Sequence, residues 1–313
     1  MKVFVAGASG VVGRPLVRQL VAAGHEVTGT TRREERMEEI RAAGATPVRC
    51  NVLSGDEANK ALHRARPEVV INQLTSLPRD YNPRRASFYA ETNRVRREGG
   101  RNLVAAARAA GARRLLTQSI AFLYAPEGDW VKDEDGRPFE DAPGHFRGAV
   151  EAMLDHEREV VSSPDFEGLV LRYGQFYGPG TYYAPDGHLG REVIRRRFPI
   201  VGPGTGIFSF LHVEDAAAAT VAALDRGAPG IYNVVDDEPA ALHEWLPVYA
   251  EALGAKPPRH VPLWLARLVA GRAVADQAVG LRGASNAKAK RELGWQPRYS
   301  SWREGFRDPA ALG

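Results

Sequence analysis

Three glycines near the beginning of the chain are spaced as a phosphate-binding turn requires. In GASGVVG, Gly7, Gly10 and Gly13 follow an apolar run and precede a helical pattern. Glycine permits the tight turn, the close approach of backbone to a pyrophosphate and the close packing of helix on strand. The helix N-terminus then presents free N–H groups and a positive dipole end to the phosphates. The spacing predicts a dinucleotide site, with a merely tight turn as the alternative.

The end of the next apolar run indicates which dinucleotide would bind. It reads Thr30, Thr31, Arg32 and Arg33, where a fold that selects NAD has Asp or Glu to hold the ribose 2′-hydroxyl. A carboxylate would repel a 2′-phosphate, whereas a guanidinium can bind it with two hydrogen bonds. We therefore expect NADP(H) rather than NAD(H), held by Thr31, Arg32 and Arg33. In the alternative, both arginines only pair with the glutamates of residues 34–38.

These sites depend on a regular alternation of strands and helices in the first half of the chain. Apolar runs predict strands over residues 1–7, 25–31, 46–52, 69–74, 113–120 and 168–174. Amphipathic patterns predict helices over about 14–23, 34–43, 56–66, 89–110 and 149–161. Because such crossovers are right-handed and cover both faces, the expected fold class is α/β with a doubly wound parallel (Rossmann) sheet. Asn51 and Val52, ending the third strand, would flank the adenine.

Beyond residue 174, glycine and proline interrupt this alternation. The remaining patterns predict a strand over 231–237 and helices from 215 and over 243–253, 263–269 and 287–293. We predict an NADP-binding Rossmann domain over residues 1–174 and a small C-terminal α/β lobe over 175–313. This lobe would mainly bind substrate, with residues 208–236 returning to the sheet.

Several side chains in these elements have structural interpretations. Asp215 would cap the alanine-rich helix that follows it. Trp264, Leu265 and Leu268 would fill the core between lobe and sheet. The histidines expected to face solvent are His145 and His156.

The composition argues against several classes of function. The 42 basic and 38 acidic residues are scattered, giving a net charge of +4, whereas nucleic-acid binding requires a continuous basic face. The single cysteine, Cys50, provides neither an intramolecular disulfide nor a metal cluster. No apolar run reaches the roughly 18 residues of a membrane span, and the chain opens with a strand rather than a leader. We expect a cytoplasmic protein without metal, nucleic-acid or membrane partners.

Five features taken together resemble a known family. They are GASGVVG, Asn93 on the long helix, LRYGQFYGPG, FLHVEDAAAA and KAKRELGWQP. Over nearly the whole chain they are similar to the extended short-chain dehydrogenase/reductase family, the NAD-dependent epimerase/dehydratase group. The resemblance implies a Rossmann domain, a substrate lobe, a nicotinamide dinucleotide and a small-molecule substrate. The residues implied to contact the dinucleotide are Gly7, Ser9, Gly10, Val11, Val12, Gly13, Asn51, Val52, Leu74, Asn93 and Tyr173, to which we add Gln118. Those implied to line the substrate cleft are Gln175, Phe176, Tyr177, Phe208 and His212.

The catalytic signature of this family is missing. The family has a Ser or Thr after the fifth strand, and a Tyr followed four residues later by a Lys on the next helix. With Tyr124 as the landmark, Ile120 occupies the hydroxyl position and Ser119 is its nearest substitute. The residues at the Tyr and Lys positions, in the two registers, are Phe146 with Val150 and Ala149 with Met153. The chain therefore resembles an atypical member.

The loss of lysine limits the chemistry. A tyrosine without a neighbouring cation has a pKa of about 10, so at neutral pH it donates a proton but is a poor base. Reduction is then easier to explain than epimerisation, above all for a substrate that carries its own activation, such as an iminium or a conjugated enone.

Candidate proton donors lie around the predicted crevice. Tyr124, just beyond the fifth strand, is our first choice, with Ser119 beside it. A packing or orienting role is the alternative for Tyr124, and a bound water is the alternative donor. Tyr182, Tyr183 and His188, in the Gly/Pro-rich segment after the sixth strand, would form a substrate-binding lid. His212 has a pKa suited to acid–base catalysis, although a structural role as a hydrogen-bonding residue is its alternative.

Three functions remain open on this basis. The preferred hypothesis is an NADP(H)-dependent oxidoreductase that transfers hydride to a small carbonyl, conjugated or imine substrate. The alternatives are a nucleotide-sugar epimerase or dehydratase, and a non-catalytic NADP-binding regulator. A homodimer through the two long helices is a further prediction.

Overall fold

The computed structural model describes residues 1–313. Its strands are β1 (Lys2–Ala6), β2 (Glu26–Thr31), β3 (Thr46–Arg49), β4 (Val69–Asn72), β5 (Arg114–Ile120), β6 (Val131–Lys132), β7 (Glu167–Tyr173), β8 (Gln175–Tyr177), β9 (Ile200–Val201), β10 (Ile207–Phe208), β11 (Phe210–His212), β12 (Gly230–Val234), β13 (Ala240–Ala241), β14 (His260–Val261) and β15 (Gly283–Ala284). Its helices are α1 (Gly13–Ala22), α2 (Met37–Ala42), α3 (Gly55–Ala65), α4 (Ala86–Arg94), α5 (Gly100–Ala109), α6 (Phe146–Val161), α7 (His188–Ile194), α8 (Val213–Ala222), α9 (Leu242–Ala252), α10 (Leu263–Ala270), α11 (Arg272–Gly280), α12 (Ala287–Leu293), α13 (Trp302–Arg307) and α14 (Pro309–Leu312). A 3₁₀ turn (Glu34–Arg36) precedes α2, and a π-helical segment (Val95–Gly99) joins α4 to α5.

Seven parallel strands form the central sheet, in the order β12-β7-β5-β4-β1-β2-β3. This order confirms the predicted doubly wound Rossmann sheet. The chain runs outward from β1 in one direction and from β4 in the other, so a crevice opens where β1 and β4 end. The loops after these two strands are therefore the first place to look for a ligand.

Both faces of the sheet are covered because its strands are apolar. Strand β4 reads Val-Val-Ile-Asn and is buried at every position. Leu16 and Leu20 of α1 pack with the alanines of α8 on one face, and Leu62 of α3 packs with Leu103 of α5 on the other. Burying one such leucine contributes about 1.5–3 kcal/mol, so the helices are held by their apolar faces.

The third large cluster is aromatic and lies beside the sheet. Phe210, Trp245, Tyr249, Trp302 and Phe306 form its centre. The rings of Phe210 and Trp245 meet edge to face at 5.1 Å between centroids.

None of the helices of the structure combines the length and apolar character that a bilayer crossing requires.

Two expectations about polar side chains are wrong. His156 is buried rather than exposed, with Nε2 2.9 Å from Thr117 Oγ1, and Gly100 leaves room for its ring. Asp215 does not cap the alanine-rich helix, because α8 begins earlier and the His212 Nδ1 accepts from the Glu214 N–H. Asp215 instead accepts the backbone N–H groups of residues 298 and 299. His145 is exposed, as expected.

The expectation that α10 fills the core is also wrong. Trp264 is 64% exposed and Leu268 75% exposed, and Leu265 is exposed as well. Helices α10 and α11 pack on each other as a hairpin, whose fully buried residues are the small Ala266 and Ala275. The hairpin is therefore peripheral.

Candidate cofactor and substrate site

The glycine loop after β1 has the geometry that only glycine permits. Gly7 has a φ of +89°, and a Cβ there would lie 2.9 Å from the Gln73 carbonyl oxygen. A Cβ on Gly13 would overlap the Gly7 carbonyl oxygen and lie 2.8 Å from the Ala8 carbonyl. The loop is therefore held against both the end of β4 and the start of α1, at the crevice.

Backbone N–H groups of this loop are free to bind an anion. The amides of Ser9, Val11 and Val12 make no hydrogen bond within the protein. Helix α1 begins at Gly13 without a side-chain cap and without an acidic residue in its first turn. These unsatisfied donors fit the pyrophosphate of a dinucleotide.

Arg33, at the end of β2, is a cation without an ion-pair partner, and it follows a strand that contacts the glycine loop. Thr31 Oγ1 accepts from Ser9 Oγ at 3.1 Å and from the Arg33 N–H at 3.2 Å. Arg32 lies 3.6 Å from Glu91, whereas Arg33 is exposed and makes no ion pair. Neither pairs with the glutamates of residues 34–38. Arg33 is thus available for an anionic group near Ser9.

The predicted adenine residues lie in a well-held turn after β3. The Asn51 N–H donates to the Glu57 carboxylate at 2.9 Å, and the Val52 carbonyl accepts from Asn102 Nδ2 at 2.8 Å. Val52 is buried, and Asn51 is half-buried.

The opposite end of the crevice contains polar atoms without partners. Ser119 Oγ and Asn93 Oδ1 are buried and make no hydrogen bond. Gln118 Nε2 donates to the Leu74 carbonyl at 3.0 Å. The Tyr173 hydroxyl lies 2.7 Å from Thr220 Oγ1, inside the core. The unpartnered atoms fit a polar group such as the nicotinamide ribose or carboxamide, because buried polar groups are normally paired.

Apolar side chains occupy the part of α6 where the sequence comparison expected a Tyr and a Lys, in either register. Phe146 begins the helix, and Ala149, Val150 and Met153 are buried in one small hydrophobic cluster. None of the residues that line the adjoining cavity is a lysine. The site has no side-chain cation beside a phenol on this helix.

A cavity of about 340 Å³ opens next to α6. Its walls are the loop before α4, the segment from β5 to α6, and the α10–α11 hairpin. Its lining residues are Pro83, Arg84, Tyr89, Phe122, Tyr124, Pro126, Phe139, Pro143, Gly144, His145, Phe146, Ala270, Gly271, Arg272, Ala273, Val274, Asp276, Gln277, Gly280 and Leu281.

Tyr124 contributes to this wall, but its hydroxyl is bound within the protein. It donates to Asn233 Oδ1 at 2.7 Å and accepts from Arg172 at 3.1 Å. Arg172 in turn forms a buried ion pair with Glu157, at 2.6 Å. Burial raises the pKa of Tyr124, and Arg172 partly opposes the shift. The hydroxyl is therefore protonated at neutral pH and fixed in direction.

None of the residues predicted for the substrate cleft lines the cavity. Tyr177 and Tyr183 are buried in the aromatic cluster, and Phe208 packs against it. Gln175 and Phe176 lie on β8, where the Phe176 ring packs 5.4 Å from that of Tyr173. Strand β8 pairs in parallel with β11, so Gln175 and Phe176 lie opposite residues 210 and 211.

Both ring nitrogens of His212 are used structurally. Nδ1 accepts the Glu214 N–H at 3.2 Å, and Nε2 donates to the Ala311 carbonyl at 3.0 Å. Burial lowers the pKa of His212. The imidazole is therefore a neutral, doubly bound helix cap.

The predicted lid is connected to the loop before α4. The Tyr182 hydroxyl donates to the Pro78 carbonyl at 2.5 Å, and His188 Nδ1 lies 3.3 Å from Asp80. The rings of Tyr81 and Tyr182 meet edge to face at 5.3 Å. The lid segment thus spans from the lobe to the Rossmann sheet.

Sequence reasoning missed Arg84, Tyr89 and the α10–α11 hairpin. One signal was present, because the connection from β4 to α4 covers residues 73–85 and is far longer than the roughly 2–6 residues usual in α/β units. Long connections of this kind often carry binding residues.

Comparisons with known proteins identify the family of this chain. A model of the NAD dependent epimerase/dehydratase family matches residues 3–234. A 3-diazoavenalumate denitrifying reductase from Streptomyces sp is 47% identical over 98% of this chain and 99% of its own length. A 4-hydroxy-2-methyl-3-oxo-4-farnesyl-3,4-dihydroquinoline-1-oxide ketoreductase from Stigmatella aurantiaca is 27% identical, over 96% and 93%.

A solved structure extends the similarity to the whole fold. The UDP-glucose 4-epimerase of Thermus thermophilus, in complex with NAD, superposes with a TM-score of 0.73 at 25% identity. The alignment covers 100% of this chain and 98% of the epimerase. With the family match over most of the chain, the chain belongs to the NAD dependent epimerase/dehydratase family and is an oxidoreductase.

Proposed function

We propose that this chain transfers a hydride from NADPH to the carbon that carries the diazo group of a small organic substrate, with loss of that group as N2. The observation that carries the proposal is the apolar surface of α6 beside the cavity, where both registers, Phe146 with Val150 and Ala149 with Met153, offer neither a Tyr nor a Lys. The relative that is 47% identical over nearly its full length is named for reductive loss of nitrogen from a diazo compound.

A diazo group removes the need for the missing residues. When bound, the nicotinamide would supply hydride in the balanced reaction R–N2⁺ + NADPH → R–H + N2 + NADP⁺, in which the C–N bond breaks and a C–H bond forms. The substrate carries the positive charge, so no side chain has to polarise a carbonyl oxygen or act as base. The aromatic walls of the cavity exclude water, which would otherwise compete for such an electrophile.

The end of β2 supports NADP(H) as the cofactor. Ser9 Oγ, Thr31 Oγ1 and the free Arg33 guanidinium would bind the 2′-phosphate, with Arg32 at its edge. The other residues predicted to contact the dinucleotide keep that assignment. Gly7, Gly10 and Gly13 would form the turn around the pyrophosphate.

Replacing Arg33 with alanine should weaken NADPH binding selectively. Loss of a charge-assisted hydrogen bond costs about 1.5–3 kcal/mol, or roughly 10- to 100-fold in Kd. NADH affinity should not change, because NADH lacks the phosphate. Arg36→Ala is the matched control, since Arg36 pairs with Glu39 nearby. Fluorescence titration measures both cofactors, and equal losses for NADPH and NADH would contradict the assignment.

The neutral diazo form requires one proton, for which two tyrosines are candidates. The Tyr124 hydroxyl must break its bond to Asn233 before it can donate elsewhere. Tyr89 lines the same cavity, and its hydroxyl makes no hydrogen bond within the protein. We therefore assign the proton to Tyr89 and give Tyr124, the donor expected from the sequence, a positioning role; Ser119 remains a candidate for orienting the nicotinamide.

Substitution to phenylalanine separates the two tyrosines. Tyr89→Phe should lower kcat for a neutral diazo substrate by about a hundredfold, the lower range for a lost general acid. Tyr124→Phe should keep kcat within about threefold, since only a wall contact and its buried hydrogen bonds are affected. Proton transfer should become more rate-limiting only in Tyr89→Phe, so the solvent isotope effect on kcat should increase only in that variant. The opposite pattern would restore Tyr124 as the donor.

The function itself is tested with a diazophenol labelled with nitrogen-15 and NADPH deuterated at the transferable position. We expect one labelled N2 released per NADPH oxidised, and deuterium on the carbon that carried nitrogen. Oxidation of NADPH by ketones alone would favour a carbonyl reductase, the second candidate, which the ketoreductase similarity supports. Turnover of UDP-sugars with retained NAD would indicate an epimerase, and cofactor binding without any turnover a regulator.

A further inference from the structure

The cavity beside α6 has an apolar interior. Tyr89, Phe122, Phe139 and Phe146 contribute four aromatic rings, and Leu281 lies with them. A flat apolar or aromatic body fits this lining, because aromatic rings favour stacked or edge contacts with one another.

The charged residues of the cavity are two arginines and one acid. Arg84 and Arg272 line it, and its single acid is Asp276. The Asp276 carboxylate is already paired, with Arg267 at 2.7 Å and with Arg272 at 3.4 Å. The opening therefore attracts anions.

Arg84 is the cation without an internal partner. It is exposed and makes no ion pair or side-chain hydrogen bond. Arg84 lies between Pro83 and the start of α4. Because its side chain is exposed and also lines the cavity, the guanidinium lies at the rim of the apolar wall. A guanidinium in this state can bind a carboxylate with two parallel hydrogen bonds.

We propose that the substrate is an apolar, conjugated or aromatic carboxylate, whose body fills this cavity and whose carboxylate binds Arg84. This inference rests on the proposed function for its reactive group, but the carboxylate site is defined by the cavity alone. Arg84 is then the residue that determines specificity, and it acts at a distance from the atoms that react.

Binding of an unreactive probe tests the site without any turnover. Cinnamate and methyl cinnamate have the same planar body and differ in charge. In calorimetric titrations of the NADP⁺-loaded protein, the wild type should bind cinnamate at least tenfold more tightly than the ester. Arg84→Gln should remove this preference, whereas Arg85→Gln, an exposed neighbour outside the cavity lining, should keep it.

The outcomes separate this inference from the proposed function. A preserved preference in Arg84→Gln, or its loss only in Arg272→Gln, overturns the assignment to Arg84. Equal affinity of the wild type for acid and ester overturns the carboxylate site altogether. If cinnamate discrimination depends on Arg84 while the diazophenol releases no N2, the site stands and the proposed reaction falls. Arg84 makes no hydrogen bond or ion pair within the protein. Arg84→Gln and its control Arg85→Gln should therefore melt at the wild-type temperature.

Discussion

Replacement of Gly13 with alanine should abolish tight dinucleotide binding. The new Cβ would overlap the Gly7 carbonyl oxygen and lie 2.8 Å from the carbonyl of Ala8, both of which are backbone atoms. The loop must then open or α1 must shift, and either movement displaces the free N–H groups of the loop. We expect the Kd for NADPH to rise at least a hundredfold, which corresponds to about 2.7 kcal/mol.

The matched control is Gly55→Ala, at the first position of α3. Its Cβ would meet Asn102 Oδ1 at an ordinary 3.4 Å. This variant should bind NADPH as the wild type does. NADPH fluorescence titration measures both variants, and wild-type affinity in Gly13→Ala would place the dinucleotide somewhere other than the glycine loop.

Replacement of Glu157 with glutamine should cause the largest loss of stability. Glu157 and Arg172 are 3% and 2% exposed, with hydrogen bonds of 3.0 and 2.6 Å between them. Removing one charge leaves the other buried and uncompensated, at a cost of about 3–5 kcal/mol. The free energy of unfolding in urea should fall by that amount. Because Arg172 also binds the Tyr124 hydroxyl, the cavity wall should loosen and the KM should rise.

Two further variants make this result specific. Glu151→Gln, on the exposed side of α6, should change stability by less than about 1 kcal/mol, since Glu151 forms only a surface pair with Arg97. The double variant Glu157→Met/Arg172→Met should recover much of the loss, because no buried charge remains. If Glu157→Gln and Glu151→Gln unfold alike, the buried pair does not stabilise the fold.

The central fold was predictable because its signals are local. Apolar runs bounded by turn residues located all seven sheet strands, and α12 has the predicted bounds, 287–293. Other helix ends differ by up to three residues; α4, for example, begins at Ala86 rather than near Tyr89. Burial was harder to predict, because it depends on neighbours. The apolar residues of α10 have no covering element, and His156 is enclosed by a glycine from α5.

The two parts of the candidate site, the dinucleotide-binding loop and the cavity, also differ in how well the sequence predicts them. The glycine loop and the end of β2 are short segments whose residue types already define their geometry. The cavity combines Arg84, Phe122 and Arg272, which are far apart in the chain and are brought together only by the tertiary fold. No spacing rule in the sequence connects these three residues. The sequence pointed instead to Tyr177 and His212. In the structure, Tyr177 is packed in the aromatic cluster and His212 caps a helix.

The π-helical segment at Val95–Gly99 lets one long helix pack against the sheet at one end and line the cavity at the other. Each residue of an α-helix turns the chain by about 100°, so one additional residue rotates everything before it relative to everything after it. The turns after the segment keep Leu103 in the sheet core, while those before it present Tyr89 to the cavity. During evolution, one inserted residue in a helix could therefore turn the side chains that face the cavity in a new direction. The core would not have to repack, and no residue that faces the cavity would have to change.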